Sequence, residues 1–310
     1  MSLESLVSRV NHLELQSPYG YTPSLAPSMA YLVVFSVLTL VHVILGIRYK
    51  YWVVFVTLVP GGILEIVGWA GRLWSHYKVL NSNPFIMQIC TLILGPAFFS
   101  AWAYTLLGYC ITFLGPAFSL LKPKFYLLVF VIADIVSLVL QAIGGGGAAV
   151  KAQNGEDTGK STKIMLAGIL FQLGTMTIFV ALAIDFIVRV IIRRPWSIRL
   201  RRHQLSAAPV DDGATADPTL GADSNTPFDT SAHLRRVEFL LAGVAFASLM
   251  IYVRGVYRSI ELAQGWTGHL ITHEPFFTWL DGLPMVLCLA AFAVAHPGFL
   301  LPRRKGWKNA

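Results

Sequence analysis

Charged residues are scarce in this chain, and cysteines are few. Charged side chains make up 13% of the 310 residues, whereas a soluble domain carries about 25%. The three cysteines, Cys90, Cys110 and Cys288, lie in apolar runs at spacings that fit neither a disulfide framework nor a metal site. Residues 1–25 lack the apolar core of a secretory signal, and no N-x-S/T acceptor occurs. These absences exclude a soluble domain and a disulfide-stabilised secreted one.

Apolar residues are abundant and fall into seven long segments. They form 55% of the chain and give it a mean hydropathy of +0.62. Because a helix needs about 20 apolar residues to cross a bilayer, the pattern predicts an all-α fold. We expect a polytopic integral membrane protein with a seven-transmembrane-helix bundle, the fourth helix ending at the glycine run 144–147. The predicted spans are 28–47, 52–73, 85–114, 125–143, 164–192, 237–262 and 275–301.

Basic residues predict the orientation of the bundle, because Lys and Arg collect on the cytosolic side of membrane proteins. Sixteen lie on the side of the carboxyl terminus and five on the other, which predicts an amino terminus outside and a carboxyl terminus in the cytosol. The sixteen are Arg48, Lys50, Lys122, Lys124, Arg189, Arg193, Arg194, Arg199, Arg201, Arg202, Arg235, Arg236, Arg303, Arg304, Lys305 and Lys308; the five are Arg9, Lys78, Lys151, Lys160 and Lys163. The net charge of +8 therefore reflects topology, and no nucleic-acid partner is expected.

The remaining segments are polar. Residues 1–27 form an amino-terminal tail, and residues 302–310 form a basic carboxyl-terminal tail. Within the transmembrane domain, 28–301, the stretch from about 196 to 234 is rich in Pro, Asp, Gly and Thr. Such a composition predicts a disordered loop on the cytosolic side.

Polar side chains from five predicted helices lie in the same half of the membrane. A charge near the bilayer centre costs roughly 2.5–3.5 kcal/mol, so these groups are expected to face one polar cavity near the outer leaflet. Arg254 and Arg258 share one helix face. Some of Glu65, Asp134 and Asp281 would counter them, and the pairing stays open. The candidate substrate-binding residues are Glu65, Arg72, Gln88, Asp134, Gln141, Arg254, Arg258, Glu261 and Asp281.

Several polar residues also have purely structural interpretations. Buried amides often act as hydrogen bonds between membrane helices, and a His-Pro-Gly sequence is typical of a helix end. The structural alternatives are a Glu65–Arg72 clamp, interhelical hydrogen bonds from Gln88, Gln141 and Gln172, an Asp185–Arg189 ion pair at the inner end of the fifth span, and termination of the seventh span at residues 296–298.

Short groups of polar and small residues recur in order through the spans. They are Glu65-x2-Gly68-x3-Arg72; Gln88 with Pro96-Ala97-x3-Ala101-x2-Tyr104; Asp134-x6-Gln141 with the glycines from 144; Gly168-x3-Gln172; Arg254-x2-Tyr257-Arg258-x2-Glu261; and Glu274-x6-Asp281 with His296-Pro297-Gly298. Together they cover most of residues 20–300 and resemble the RTA-like family of fungal seven-helix proteins, the lipid-translocating exporters. Trp279 stands where the family is expected to have tyrosine.

The resemblance implies a function in lipid handling. A member of this family would move, or confer tolerance to, amphiphilic lipids such as sphingoid bases and sterol-like or toxic compounds. It implies that the chain is not an enzyme and uses no cofactor, and that its partners are membrane lipids or amphiphilic small molecules. The plasma membrane is the expected location, with the endoplasmic reticulum or vacuole as alternatives. Headgroup charge, direction and energy coupling stay open.

A seven-helix receptor or lipid sensor is a second hypothesis. Seven spans, an outside amino terminus and a basic loop at 193–236 that would bind a cytosolic partner permit it. Arg189 after Asp185 does not, however, form the acidic-Arg-Tyr switch of such receptors.

A third hypothesis is an intramembrane metal-dependent lipid hydrolase. His269 and His273, spaced i and i+4, would join His76, Glu274 and Asp281 on the outer side. Two histidines at that spacing suit zinc only on a helix, and residues 272–275 are typical of a loop. No metal site is therefore expected.

Overall fold

Seven helices that are long and apolar enough to cross a membrane occur among the residues that the structure describes, which confirms the predicted all-α, seven-helix fold class. The computed structural model describes residues 17, 19–194, 196, 230–265 and 268–300. Its first six spanning helices are α1 (Leu25–Tyr49), α2 (Leu58–Tyr77), α3 (Ser82–Leu114), α4 (Pro123–Gln153), α5 (Gly159–Ile192) and α6 (Thr230–Ala263). The seventh span, Glu274–Leu300, contains α7 (Glu274–Phe277), a π-helical turn (Thr278–Gly282), α8 (Leu283–Val294) and α9 (Pro297–Leu300).

Two helices extend far beyond their predicted bounds. α4 continues through the glycine run to Gln153, and α6 begins at Thr230, inside the stretch predicted to be a loop. The glycines continue α4, since they allow it to pack closely against α5. A Cβ added to Gly144 would lie 2.3 Å from the backbone nitrogen of Met165 on α5. The run therefore allows two helices to approach closely, and its helix-breaking interpretation is wrong.

Some predictions lie outside the described residues. These are the loop over 197–229, residues 1–16 of the amino-terminal tail, and the basic tail at 302–310. The orientation of the termini also stays a prediction, since it rests on the basic residues alone.

The spans follow one another around the bundle. Each packs against the next in the chain, and the seventh packs against α1. α3 also contacts α6, so α3 lies at the centre of the bundle. Its residues Trp102, Tyr104 and Leu107 are fully buried. Exposed large apolar side chains such as Val37 and Ile132 lie on the outside of the bundle, as expected for lipid-facing surfaces.

The amino end of the bundle, where α1 begins, is covered by residues 19–24, which we call the strap. Tyr19 is only 3% exposed, so this part of the predicted polar tail is packed. Ser17 fixes the start of the strap by donating to the carbonyl of Tyr21 at 2.9 Å and accepting from the N–H of Tyr19 at 3.1 Å.

The π-helical turn sets the direction of an acidic residue. A π-turn holds one residue more than an α-turn, so it changes which side chains face inward. Asp281 and Gly282, within this turn, are both buried. A Cβ on Gly282 would lie 2.6 Å from Cζ2 of Trp69, so glycine lets the turn press against α2. Asp281 consequently lies inside the bundle.

Candidate functional site

Five charged side chains from three spans meet in the half of the bundle nearer the amino end. We call them the ionic cluster; its members are Glu65, Arg254, Arg258, Glu261 and Asp281. Each is at most 8% exposed. The sequence predicted one polar cavity formed by five helices. The structure brings together the charges on α2, α6 and the seventh span, whereas Arg72, Gln88 and Asp134 lie elsewhere. The role of all these residues in binding substrate stays a prediction.

Asp281 is the centre of the ionic cluster. Its Oδ1 accepts from Nε of Arg254 at 2.9 Å and from Nε of Arg258 at 2.6 Å. Its Oδ2 accepts from the Nη2 atoms of the same arginines at 3.3 and 3.4 Å. One carboxylate therefore holds both guanidinium groups side by side. Charge-assisted hydrogen bonds of this kind are the strong ones.

The arginines use further donors on nearby acceptors. Arg258 Nη1 lies 2.8 Å from Glu261 Oε2, and the Tyr257 hydroxyl donates to Glu261 Oε1 at 3.0 Å. Arg254 Nη2 also donates to the carbonyl of Leu92 on α3. Two arginines face three acids in this cluster, so its formal charge is negative. Both guanidinium groups are largely occupied by protein acceptors.

Glu65 is the loosely held acid of the cluster. Its Oε1 lies 3.9 Å from Nη2 of Arg254, within ion-pair range, yet neither oxygen accepts a hydrogen bond from the residues that the structure describes. A Cβ on Gly95 would lie 2.8 Å from Oε1, so glycine leaves room for this carboxylate beside α3. Asp281 and Glu65 thus provide counter-charge to the arginines.

Arg72 belongs to a separate site at the amino end. Its Nη2 lies 2.9 Å from Oε1 of Glu274 and donates to the Tyr21 hydroxyl at 2.7 Å. Its guanidinium carbon also lies 4.5 Å from the ring centroid of Phe277, within cation–π range. Because Arg72 pairs with Glu274, the predicted Glu65–Arg72 clamp is wrong.

The strap is fixed across this end by hydrogen bonds. The Tyr19 hydroxyl donates to Oε1 of Gln88 at 2.8 Å and lies 2.9 Å from the Ser75 hydroxyl. The backbone N–H of Ser24 donates to Glu274 at 2.8 Å. Burial raises the pKa of Tyr19 to about 12, so its hydroxyl stays protonated at neutral pH. Gln88 therefore holds the strap instead of bridging spans or facing the ionic cluster.

α4 and α5 are joined by uncharged groups. Gln141 Nε2 donates to Gln172 Oε1 at 3.0 Å, and the Ser137 hydroxyl donates to the carbonyl of Gly168 at 2.8 Å. These bonds confirm that Gln141 and Gln172 act between helices. A Cβ on Gly168 would lie 2.8 Å from Cγ of Gln141, so glycine permits the close approach here as well.

Asp134 is separate from the ionic cluster. It lies on α4, is 4% exposed and sits beside Tyr104 of α3. Neither carboxylate oxygen has a hydrogen-bond partner, and no cationic group lies within ion-pair distance, among the residues that the structure describes. Asp134 therefore pairs with neither Arg254 nor Arg258.

A cavity of about 50 Å³ lies between α3, α4, α5 and α6; we call it the cleft. Its wall combines polar and apolar side chains. The polar ones are Ser100, Gln141, Gln172, Tyr252, Arg254 and Arg258, and the others are Ile93, Pro96, Ile169, Leu173, Met176, Ile251 and Gly255. Gln172, Leu173 and Tyr252 are partly exposed, so the cleft opens between α5 and α6. An opening with this lining suits an amphiphile.

The residues of the metal hypothesis do not assemble into a site. Glu274 is bound by Arg72 and Asp281 by two arginines. The Nδ1 of His76 donates to the carbonyl of Pro23 at 2.7 Å. The rings of His269 and His273 stack at 4.0 Å, and no group of three metal-binding side chains occurs within the described ranges.

Two smaller predictions are confirmed at the opposite end. Arg189 Nε lies 2.9 Å from Oδ1 of Asp185. α8 ends at Val294, just before His296, whose Nδ1 accepts from the N–H of Gly298 at 3.1 Å. Trp279, the departure from the family pattern, is 63% exposed, so it lies on the outer surface of the bundle.

The fold and the cleft together define a class: polytopic seven-helix membrane proteins with a buried ionic cluster beside a partly exposed cleft. The chain belongs to the family described as "RTA1 like protein", whose model matches residues 58–304. This confirms the family inferred from the sequence.

Three relatives from Saccharomyces cerevisiae cover most of the chain. "Sphingoid long-chain base transporter RSB1" is 32% identical over 294 residues, 92% of this chain and 74% of the relative. "Protein RTA1" is 26% identical over 90% of this chain and 84% of its own length. "Protein RTM1" is 27% identical over 89% and 90% respectively. The first is named as a transporter. No solved structure matches the chain.

Proposed function

We propose that this chain moves single-chain amphiphilic lipids with a basic headgroup, sphingoid long-chain bases foremost, out of the membrane leaflet where they accumulate. The headgroup enters the cleft between α5 and α6, and the hydrocarbon chain stays in the bilayer. The amphipathic lining of the cleft and its opening toward the membrane carry the proposal. The transporter that is 32% identical to this chain supports the choice of lipid.

The charges beside the cleft favour a cationic headgroup. Arg254 and Arg258 line the cleft, but their donors are engaged by Asp281, Glu261 and the carbonyl of Leu92. An anionic headgroup would have to compete with these acceptors. Glu65, in contrast, is a buried carboxylate beside Arg254 with no hydrogen-bond partner in the described part of the chain. A buried charge is stable only when it is paired, so the surplus of acid favours an ammonium group.

We also propose that the chain transports lipids without catalysing a reaction and that it lies in the plasma membrane. Glu274 and Asp281, the acids of the hydrolase hypothesis, are held by arginines. The distribution of basic residues would put the cleft in the outer half of the membrane.

The experiment is a lipid-movement assay with protein in liposomes. A fluorescent long-chain base should move several times faster than in empty vesicles, and its 1-phosphate should not. Gly255→Leu should slow the movement at least fivefold, because it places a side chain in the cleft where only the tip of Leu173 lies close. Gly174→Leu is the matched control, since Gly174 on α5 has no neighbour within 4 Å of an added Cβ.

Equal movement in empty and protein-containing vesicles would contradict the function. Fast movement by the Gly255→Leu protein would contradict the assignment of the cleft.

A further inference from the structure

Two contacts join α5 and α6 at the place where the cleft reaches the surface of the bundle. In the first, Cδ1 of Leu173 would lie 3.2 Å from a Cβ added to Gly255. In the second, the hydroxyls of Thr177 and Tyr252 lie 3.4 Å apart. We call these the leucine contact and the hydroxyl contact. Leu173, Gly255 and Tyr252 line the cleft and are partly exposed, so the two contacts frame its mouth.

The two contacts are one helical turn apart on each helix. Thr177 follows Leu173 by four residues, and its partner Tyr252 precedes Gly255 by three, so the two helices run antiparallel here. At a rise of about 1.5 Å per residue, the contacts are separated by about 4.5–6 Å along the helices. Apolar carbons keep about 3.5–4.0 Å from one another. The gap between the contacts therefore holds one hydrocarbon chain and not two side by side.

The mouth can open without leaving a charge unpaired. No ion pair joins α5 to α6 among the residues that the structure describes. Thr177 is exposed, and its hydroxyl also donates to the carbonyl of Leu173 at 2.8 Å, so it keeps a partner when Tyr252 moves away. The separation of 3.4 Å between the two hydroxyls is longer than the range of about 2.5–3.0 Å that is typical of hydroxyl donors. The hydroxyl contact is therefore weak and easily opened.

We propose that Leu173, Thr177 and Tyr252 determine the specificity of the transporter, as a gate that admits amphiphiles with one hydrocarbon chain and excludes lipids with two. The inference rests on the proposed function. The headgroup enters the cleft, and its single chain lies in the gap between the leucine contact and the hydroxyl contact. A second chain finds room only when one of the two contacts is lost.

The test uses the full-length protein in liposomes and two fluorescent lipids that share a trimethylammonium headgroup. One probe has a single hydrocarbon chain and the other has two. The permanent charge of the headgroup keeps spontaneous movement of both probes slow. The measured quantity is the ratio of the two rates, each corrected for movement in empty vesicles. In the wild type the single-chain probe should move at least tenfold faster than the two-chain probe.

Variants of the gate should lower this ratio by speeding the two-chain probe. Leu173→Ala should speed it at least fivefold, because it removes the tip that lies against Gly255. Thr177→Val and Tyr252→Phe should each speed it about threefold, the factor that corresponds to an average hydrogen bond between membrane helices. The double variant should match either single variant, since both substitutions remove the same interaction.

Thr112→Val is the matched control. Thr112 is exposed on α3, and its hydroxyl donates to the carbonyl of Gly108 on its own helix at 2.9 Å, as the Thr177 hydroxyl does to Leu173. It is not part of the cleft wall, so the ratio should stay at the wild-type value.

The outcomes separate the two proposals. If the wild type moves neither probe, the proposed function fails and the gate fails with it. If the wild type moves both probes at similar rates, transport stands and the gate is overturned. The gate is also overturned if Thr177→Val changes the ratio no more than Thr112→Val does. Movement of the single-chain probe shows that each variant is folded, and if Leu173→Ala does not fold, the Thr177→Val and Tyr252→Phe variants decide.

Discussion

The two sides of the bundle are held together by different chemistry. α2, α6 and the seventh span are joined by ion pairs, with Asp281 between Arg254 and Arg258. α4 and α5 are joined by amide and hydroxyl hydrogen bonds, such as that from Gln141 to Gln172, and by glycines. Ion pairs shielded from water resist separation because each partner would be left as an isolated charge. Neutral contacts carry no such penalty, so the side with α5 is expected to separate more easily than the charged side.

The largest effect is expected when the centre of the charged side is removed. Asp281→Asn should lower the free energy of unfolding by about 3–5 kcal/mol, because it leaves two buried arginines without their shared carboxylate. Thermal unfolding of purified protein in detergent measures this. Asp185→Asn is the control, since its pair is partly exposed and should change stability by about 0–1 kcal/mol. Equal effects of the two substitutions would contradict the contrast between the sides.

A smaller effect is expected at the amino end, where the charged side meets the strap. Arg72→Met should lower the free energy of unfolding by about 2 kcal/mol, less than the loss of a fully buried partner, because Glu274 is 15% exposed. It should also release the strap. Labelling of a Pro23→Cys reporter with a membrane-impermeant maleimide should become at least tenfold faster, since Pro23 is buried when the strap is docked and binds His76 through its backbone carbonyl. Lys160→Met, an exposed position at the same end, should leave labelling unchanged.

On the neutral side, glycine substitutions sharpen the comparison. Gly144→Ala should lower the free energy of unfolding by about 1–3 kcal/mol, because overpacking forces helices apart and the added Cβ would meet the backbone of Met165. Gly146 lies two residues further on, and a Cβ added there would have no neighbour within 4 Å. Gly146→Ala should therefore raise the free energy of unfolding by about 0.5–1 kcal/mol, because alanine has the higher helix propensity. Thermal unfolding of the two variants measures the difference between their free energies of unfolding. Similar values at both positions would show that close approach of α4 and α5 is unimportant.

The smallest effect is expected from a single neutral hydrogen bond. Gln172→Ala should lower the free energy of unfolding by about 0.6 kcal/mol, the average for such bonds between membrane helices. The same thermal assay measures it. A loss as large as that of Asp281→Asn would mean that the two sides are equally rigid.

The sequence was sufficient to predict the seven spans and which charges converge, but not how those charges pair. Hydropathy located seven spans, and the high cost of buried charge correctly brought Glu65, Arg254, Arg258 and Asp281 together. Pairing depends on how each helix is rotated about its axis. The π-helical turn changes the direction of Asp281, and the 3.6-residue period of an α-helix cannot predict that change. Arg72 pairs with Glu274, and Asp134 lies apart from the ion pairs.

The strap and the glycine run show a second limit. A polar tail gives no periodic signal, so the docking of Tyr19 on Gln88 was missed, although two tyrosines two residues apart in that tail were a visible clue. Gly144 to Gly147 was interpreted from local propensity, which disfavours glycine in helices. Tertiary packing reversed that preference, because only glycine fits beside Met165.

The strap also orders events during synthesis. Ser24 is made near the beginning of the chain, whereas Glu274, which accepts its hydrogen bond, follows 250 residues later. Tyr19, in contrast, binds Ser75 and Gln88, which are made much earlier. The strap therefore closes in two stages, first on α2 and α3 and last on the seventh span, so a truncated chain that lacks the seventh span leaves Ser24 without its acceptor.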